Sequence, residues 1–235
     1  MDPLDRAPTF PTSTAAAERV TTFLRSVYGW MCAGLAITAV VAYMIASTPA
    51  LIGALVSSQL LFLGLFLAQL GVVFYLSARV DRIAPGTATL LFVAYSALTG
   101  ITFSVILIAY TGSSIATTFM VTAGMFGALA LYGTTTARSL AGIGQFAFMG
   151  LIGLVLASVV GMFWRNTALE FLISVVGVIV FTGLTAWDAQ RLRQMATALP
   201  EGQLGSHAIL GALSLYLNFI NLFLFLLRFM GGRRD

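Results

Sequence analysis

Seven apolar stretches, each long enough to cross a lipid bilayer as a helix, occupy most of the chain. A helix rises 1.5 Å per residue, so about 20 residues cross the roughly 30 Å hydrocarbon core. Apolar and polar residues do not alternate within these stretches, which excludes membrane-spanning strands. The sequence therefore predicts an all-α integral membrane protein built as a seven-transmembrane-helix bundle. The predicted spans are residues 27–48, 51–78, 87–110, 114–135, 143–164, 168–190 and 208–230.

The composition leaves no room for a separate soluble domain. Of the 235 residues, 59% are hydrophobic and only 9% are charged, whereas soluble domains carry about 25% charged residues. Residues 1–26 are polar and rich in proline, so we expect a disordered or interfacial tail there. Residues 27–230 form the predicted transmembrane domain, and residues 231–235 a short C-terminal tail. The stretch 51–78 is long for one span and predicts a tilted helix, and residues 191–207 form the longest predicted break.

Arginine carries the topology signal, because all 12 basic residues are arginine. Basic residues concentrate in cytosolic loops. A cytosolic N-terminus places eight arginines on the cytosolic side and four on the other side. We therefore expect a multi-pass protein of the cell inner (plasma) membrane with its N-terminus in the cytosol. A last segment that re-enters the membrane instead of crossing it would also place Arg228, Arg233 and Arg234 inside.

Residue usage excludes several functional classes. The absence of lysine excludes a retinal or pyridoxal Schiff base. One cysteine and one histidine make a zinc site of His and Cys ligands unexpected, and we expect no cofactor. The net charge of +4 fits the topology signal, so we expect no nucleic-acid partner. An intramembrane aspartyl protease needs two membrane aspartates and the sequence offers one, so we expect no enzymatic activity.

Asp188 is the one acidic residue well inside a predicted span, near the end of the sixth. An ionised carboxylate at mid-membrane costs about 2.5–3.5 kcal/mol on insertion scales, which makes such a residue a candidate functional site. The alternative is a carboxylate at the helix end that pairs with Arg191 or Arg193, about one turn away. Both interpretations are open on these residues alone.

Ser214, Asn218 and Asn221 share one face of the last predicted span, because they are spaced i, i+4 and i+7. Amides in hydrocarbon need partners, so this face should point into the bundle. If the sixth and seventh spans are antiparallel neighbours, Asp188 and Asn218 can lie at the same depth. Arg79, at the end of the second span, could reach the same cluster. Simple hydrogen bonding between helices explains the pattern equally well.

The third span carries a face of small residues. Ser96, Gly100 and Ser104 recur every four residues. Small residues at this spacing let helix backbones approach closely inside a membrane. We therefore expect this face to pack against another helix.

Three segments resemble the Bax inhibitor-1 family, also called the transmembrane Bax inhibitor motif family. The run Ala212–Phe229 is similar to the family's last-helix signature, and Ala97–Ser104 is similar to its third helix. The segment Thr185–Gln190 is similar to its sixth-helix motif, with Trp187 in place of the usual tyrosine. The resemblance covers about residues 20–231 and points to a bacterial-type member.

The resemblance implies a bundle in which the last helix is central and wrapped by the other six. It also implies a pH-sensitive calcium leak in bacterial members and suppression of cell death in eukaryotic ones. The family's site is an aspartate pair on helices six and seven, latched by a basic residue on helix two. Asp188 matches the first aspartate and is the candidate calcium ligand, Asn218 occupies the second position, and Arg79 is the candidate latch. The predicted supporting polar residues are Ser214, Asn221 and Arg191.

Asn218 departs from the family pattern. Two carboxylates in contact share a proton, whereas an Asp–Asn pair lacks the like-charge repulsion, so we expect pH gating to be displaced or lost. The site also offers one charge fewer to Ca²⁺, which prefers several oxygen ligands. The leading function is a passive calcium or cation leak channel with altered pH gating. The alternative is a non-conducting protein that binds a membrane partner, such as a quality-control protease, through its polar N-terminal tail.

Overall fold

The computed structural model describes residues 13–164, 166–232 and 234. The described residues form eight α-helices and a 3-10 turn at Glu201–Gln203, and they contain no strand. All but α2 are long and apolar enough to cross a membrane, which confirms the predicted all-α, seven-span class. The helices are α1 (Ser13–Ala46), α2 (Pro49–Ser57), α3 (Gln59–Arg79), α4 (Pro85–Ala109), α5 (Gly112–Thr135), α6 (Ala141–Phe163), α7 (Thr167–Ala198) and α8 (Leu204–Met230).

Helix α1 begins inside the segment predicted to be a polar tail. Residues 13–26 are helical, because they include a run of alanines followed by Glu18 and Arg19, all of which favour a helix. The first twelve residues lie outside the described part of the chain, as do Arg165 and Arg233. The predicted disordered or interfacial character of the first twelve residues and the eight-to-four split of arginines between the two sides of the membrane therefore stay predictions.

The second predicted span is two helices instead of one tilted helix. The nine-residue α2 is too short to cross a bilayer, and α3 is the spanning element. Ser58 separates them with an extended backbone, and its side chain accepts a hydrogen bond from the Leu61 amide at the start of α3. The prediction of a single helix over 51–78 is wrong because a serine side chain can replace the backbone partner and so cap a new helix.

The break predicted over residues 191–207 is mostly helical. α7 continues through Ala198, and α8 already begins at Leu204. Arginine, glutamine, methionine, alanine and leucine make up most of residues 191–198, and all five favour helix although arginine and glutamine are polar. The helix ends before Leu199, whose backbone is extended, because the residue before Pro200 is disfavoured in the helical region.

Helix α8 lies at the centre of the bundle. In its most apolar stretch 67% of the residues are buried, against 6–33% in the other spans. It packs against α7, α1, α5 and α4, while α3 packs mainly on α4 and α6 packs on α7. Four helices therefore form most of its wall, where the resemblance implied six. α8 is one continuous helix about 40 Å long, which is the length of a full crossing and not of a re-entrant segment.

The small-residue face of the third span packs as predicted. Ser96, Gly100 and Ser104 are all buried on α4. A Cβ at Gly100 would lie 2.8 Å from the carbonyl oxygen of Thr38 on α1. Only glycine allows this close approach, and α1 and α4 form the most extensive helix pair in the bundle.

The residues after α8 pair with the turn between α4 and α5. The Gly232 carbonyl accepts a hydrogen bond from the Thr111 amide at 3.1 Å, and the Arg234 amide donates to the Ala109 carbonyl at 3.0 Å. The C-terminal segment is thus held against the same end of the bundle at which α8 ends.

Candidate functional site

Asp188 lies on α7 where that helix packs against α8, and it is 7% exposed. Its Oδ2 atom accepts one hydrogen bond from Ser214 Oγ and one from Asn218 Nδ2, each 2.7 Å long. Ser214 and Asn218 are one turn apart on the same face of α8. The structure therefore brings together three of the residues singled out from the sequence. Their functional roles stay predictions.

Gly211 allows the two helices to meet at this point. It lies one turn before Ser214 on α8 and is buried. A Cβ at Gly211 would run into the side chain of Leu192, which is one turn beyond Asp188 on α7. The absence of a side chain lets α7 approach closely enough for hydrogen bonds of normal length to form between the helices.

The Asp188 carboxylate has no ion-pair partner within 4.0 Å in the described part of the chain. Arg193 instead donates to the Thr134 carbonyl at 2.7 Å. Arg191 is near enough to attract the carboxylate, but its guanidinium lies over the Trp187 ring, 5.6 Å from the ring centre. The helix-end ion pair considered from the sequence is therefore not formed, and the carboxylate is held by neutral donors.

A cavity of about 280 Å³ opens beside the carboxylate. Asp188, Arg191, Ser214 and Ser77 supply its polar lining, and Ser77 and Val73 are the lining residues from α3. Since a water molecule occupies about 30 Å³ in the liquid, the cavity has room for several waters. The polar lining and the size together suit a small hydrated ion. Leucines and a methionine complete the lining, together with Gly211: Leu192, Met195, Leu210, Leu213 and Leu217.

Two predicted site residues lie apart from this cluster. Arg79 is exposed at the end of α3 and does not line the cavity, where Ser77 is the nearest α3 residue in sequence. Asn221 donates to the Leu217 carbonyl of its own helix at 2.8 Å. The structure therefore does not bring Arg79 or Asn221 to Asp188, and the latch role of Arg79 stays a prediction.

His207 is a buried polar residue whose contact the sequence did not reveal. It lies in the first turn of α8 and is 6% exposed. Its Nε2 atom is 3.3 Å from Oδ1 of Asp81, which lies in the connection between α3 and α4. The sequence did not indicate this contact because His207 directly precedes the predicted span 208–230, although the apolar residues that follow His207 indicate burial. The contact joins the α3–α4 connection to α8, at the end of the bundle where the Asp188 cavity lies.

Gln190 is a second polar residue that sequence reasoning missed. Its Oε1 accepts from the Leu140 amide and its Nε2 donates to the Arg138 carbonyl, each at 2.8 Å. It thereby supplies partners at the start of α6, where backbone amides have no partner within the helix. This side chain fixes the α5–α6 connection to α7, two residues from Asp188.

The donor set at Asp188 is sparse for a resident metal ion. No group of three or more His, Cys, Asp or Glu residues that could hold a metal occurs among the residues described here. Ca²⁺ takes six to eight oxygen ligands in stable protein sites. One carboxylate with a neighbouring hydroxyl and amide therefore suits a cation that keeps most of its water.

Comparison with known proteins places the chain in a family. A family model described as "Inhibitor of apoptosis-promoting Bax1" matches residues 20–235. The chain belongs to the Bax inhibitor-1 family. This membership confirms the resemblance drawn from the helix motifs. The match begins within α1 and includes the whole of the six other spanning helices.

Relatives of this Bax inhibitor-1 family member are similar over nearly their full length. The inner membrane protein YbhL of Escherichia coli is 47% identical over 234 residues, which cover 98% of this chain and 100% of that protein. An uncharacterized protein of Deinococcus radiodurans is 44% identical over 225 residues, covering 95% and 96% of the two chains. One of Borreliella burgdorferi is 44% identical over 215 residues, covering 91% and 93%.

Proposed function

We propose that this Bax inhibitor-1 family member forms a passive leak path for calcium and other cations across the inner (plasma) membrane, with its N-terminus in the cytosol. The observation that supports this most strongly is the buried Asp188 carboxylate, which has no ion-pair partner among the described residues and lines a cavity that can hold a hydrated ion. Intramembrane ionisable residues of this kind are rare and mark ion pathways. The proposal assigns no catalytic reaction and no resident cofactor to the chain.

In this proposal the hydrated cation enters between α3 and the α7–α8 pair. Both hydrogen bonds to the carboxylate fall on Oδ2, which leaves Oδ1 of Asp188 available to the ion. Ser214 and Asn218 hold the carboxylate in place, so the ion meets a positioned charge. Arg191 lines the same cavity and opposes long occupancy, because a site that conducts must also release its ion.

Calcium flux through proteoliposomes tests the role of Asp188. We expect Asp188→Asn to lower the flux about tenfold or more, since the variant removes the one acidic charge in the cavity. Glu170→Gln is the matched control, because it removes the same charge from the exposed first turn of the same helix. Equal flux in wild type and Asp188→Asn contradicts the leak proposal.

The pH response depends on Asn218 in this proposal. A carboxylate pair shares a proton and can respond to small changes of pH, whereas Asp188 here accepts a hydrogen bond from an amide. We expect the wild-type flux to vary little between mildly acidic and mildly alkaline pH. Asn218→Asp should create a pH-dependent flux. Identical pH profiles for the two proteins overturn this part of the proposal.

The rival proposal is a non-conducting protein that binds a membrane partner, such as a quality-control protease, through its N-terminal residues. Arg19 donates to the Leu199 carbonyl at the end of α7, so a deletion that reaches residue 20 would also disturb the bundle. Deleting residues 1–12 keeps the described helix Ser13–Ala46 and separates the two proposals. Flux that survives the deletion supports the leak path, while absence of flux in the wild type, together with loss of partner binding on deletion, supports the rival.

A further inference from the structure

A second cavity, of about 260 Å³, shares no lining residue with the Asp188 cavity. It is bounded by α1 and α4 on one side and by α5 on the other, with α8 as its floor. We call it the α1–α5 crevice. Its lining includes Leu35, Ala39, Phe103, Phe119, Phe219 and Phe223.

The lining of the crevice offers no free polar group to water in its interior. Thr38 is its one buried polar residue. The Thr38 hydroxyl donates to the Ser96 carbonyl at 2.9 Å and lies 2.6 Å from the Tyr216 hydroxyl, so its bonding capacity is used. Apolar cavities of about 150 Å³ stay dry and bind small apolar molecules. Because an empty space forfeits dispersion contacts along its walls, hydrocarbon is the favoured occupant.

The crevice is open to the lipid-facing surface of the bundle. Ala39 is exposed, Tyr43 is 70% exposed and Phe119 is 43% exposed along its mouth. All three lie on membrane-spanning helices. In a bilayer the molecules that reach this mouth are lipids, and the parts of them that match the lining are acyl chains.

The depth of the crevice fits one leaflet. Its α1 residues lie in the second half of that helix, and its α5 residues lie in the first turns of α5. Leu35 is about 17 Å along the helix from the end of α1 at Ala46. Half of the hydrocarbon core is about 15 Å thick, so a chain from the leaflet at that end reaches the bottom of the crevice. Tyr43, nearer the helix end, is placed where tyrosines meet lipid headgroups.

We propose that the α1–α5 crevice binds one acyl chain of a phospholipid from the leaflet opposite the start of α1. The chain packs against Phe219 and Phe223 of the central helix, while Tyr43 lies near the headgroup. The binding is independent of the proposed cation path, because the two cavities share no lining residue.

Photolabelling with a lipid tests this site. The full-length protein is reconstituted in phosphatidylcholine vesicles that contain a small fraction of an analogue with a diazirine in its acyl chain. Phe219 and Phe223 are 4% and 6% exposed, whereas Phe146 on α6 is 75% exposed to the surrounding lipid. We expect labelling of the two buried phenylalanines to equal or exceed that of Phe146, as mapped by peptide mass spectrometry. Labelling confined to Phe146 and other exposed positions overturns the proposal.

Two variants of α1 form a matched pair. Ala39→Phe places a ring in the mouth of the crevice, and Ala36→Phe places the same ring on an exposed position outside its lining. We expect Ala39→Phe to lower labelling of Phe219 and Phe223 several-fold and Ala36→Phe to leave it unchanged. Equal labelling in both variants contradicts the site. Thermal unfolding checks that both proteins fold, and Ala42→Leu, which fills the crevice with fewer atoms, replaces Ala39→Phe if that variant is unfolded.

Discussion

Helices α8 and α3 are almost equally apolar, yet they have opposite environments. In the most apolar stretch of each, 67% of the residues of α8 and 6% of those of α3 are buried. Hydropathy therefore identifies both as spans but does not separate the centre of the bundle from its edge, because lipid tails are as apolar as leucine. The difference lies in the polar residues. The polar side chains of α8 bond two other helices, because Ser214 and Asn218 donate to Asp188 on α7 and the Tyr216 hydroxyl contacts Thr38 on α1. In the described part of the chain, α3 makes its side-chain hydrogen bond to another helix through Gln69, which donates to Thr102.

This contrast also accounts for the position of the Asp188 cavity. α8 is held on several sides, while α3 packs mainly on α4 and forms the remaining wall of the cavity through Val73 and Ser77. The weakly packed edge leaves space, and the well-packed centre supplies positioned polar groups. The Asp188 cavity combines both properties because α3 lines it together with α7 and α8.

The largest expected effect comes from removing the aromatic ring at the centre. Tyr216 is fully buried, its ring meets Phe92 and Tyr95 edge to face, and its hydroxyl contacts Thr38. We expect Tyr216→Ala to lower the free energy of unfolding by about 3–5 kcal/mol, because the cavity it leaves cannot collapse within a packed bundle. Phe74→Ala on α3, at a side chain that is 70% exposed, should change it by less than about 0.5 kcal/mol. Denaturant unfolding in detergent micelles measures both, and similar losses would contradict the contrast between the helices.

The membrane spans can be predicted from local sequence, and so can the central residues of the candidate site. The spans are defined by continuous apolar runs, and the face shared by Ser214 and Asn218 follows from helical spacing alone. The partner of that face was predictable as well. Asp188 is the acid near the end of the preceding span, and a buried acid must find neutral or charged partners.

Other features depend on the tertiary packing and have no local signature. Most of α8 is buried by other helices, but its apolar residues suit lipid as well as protein, so hydropathy does not reveal its central position. The orientation of Arg79 depends on where α3 ends relative to α8, and the contacts of Gln190 and His207 join residues far apart in the chain. The break at Ser58 is a local event, but an apolar serine-containing run is equally compatible with an unbroken helix.

The second prediction tests close packing at glycine. A Cβ at Gly133 on α5 would overlap the Ala186 carbonyl and lie 3.0 Å from the Ala189 Cβ atom on α7. We expect Gly133→Ala to destabilise the protein by about 1–3 kcal/mol, because helix backbone cannot shift as easily as a side chain. Gly71→Ala on α3 is the matched control, since a Cβ there meets nothing within 4 Å.

The control should show the opposite sign. Alanine is favoured over glycine in a helix by up to about 1 kcal/mol, and at Gly71 no steric term opposes this gain. Chemical denaturation of the two variants in the same detergent gives both values. Equal destabilisation by the two substitutions would mean that α5 and α7 are not as closely packed as the bundle centre requires.

The third prediction compares an amide at the centre with one at the edge. Asn218→Leu removes one of the two donors to the Asp188 carboxylate, and we expect a loss of about 1–2 kcal/mol. Gln69→Leu removes a 2.8 Å hydrogen bond to Thr102, but Thr102 keeps the Leu98 carbonyl as a partner. The edge variant should therefore cost no more than about 0.6 kcal/mol, the average for hydrogen bonds between membrane helices. Equal losses of unfolding free energy in the two variants would contradict the expectation that the hydrogen bond to Asp188 makes Asn218 more important for stability than Gln69.

The smallest expected effect concerns a polar contact between the edge of the bundle and its centre. His207 in the first turn of α8 meets Asp81, whose side chain is 70% exposed, so the pair should contribute less than about 1 kcal/mol to global stability. Its effect should instead be local. We expect His207→Ala to raise hydrogen exchange several-fold at residues 80–84 and to leave exchange at the centre of α8 unchanged. The reason is that few contacts at residues 80–84 oppose local opening. Asp81→Asn keeps an acceptor oxygen and removes the charge, so a smaller rise in that variant assigns the contact to hydrogen bonding, while an equal rise assigns it to charge. Unchanged exchange at residues 80–84 in His207→Ala would show that α4, and not α8, holds the end of α3.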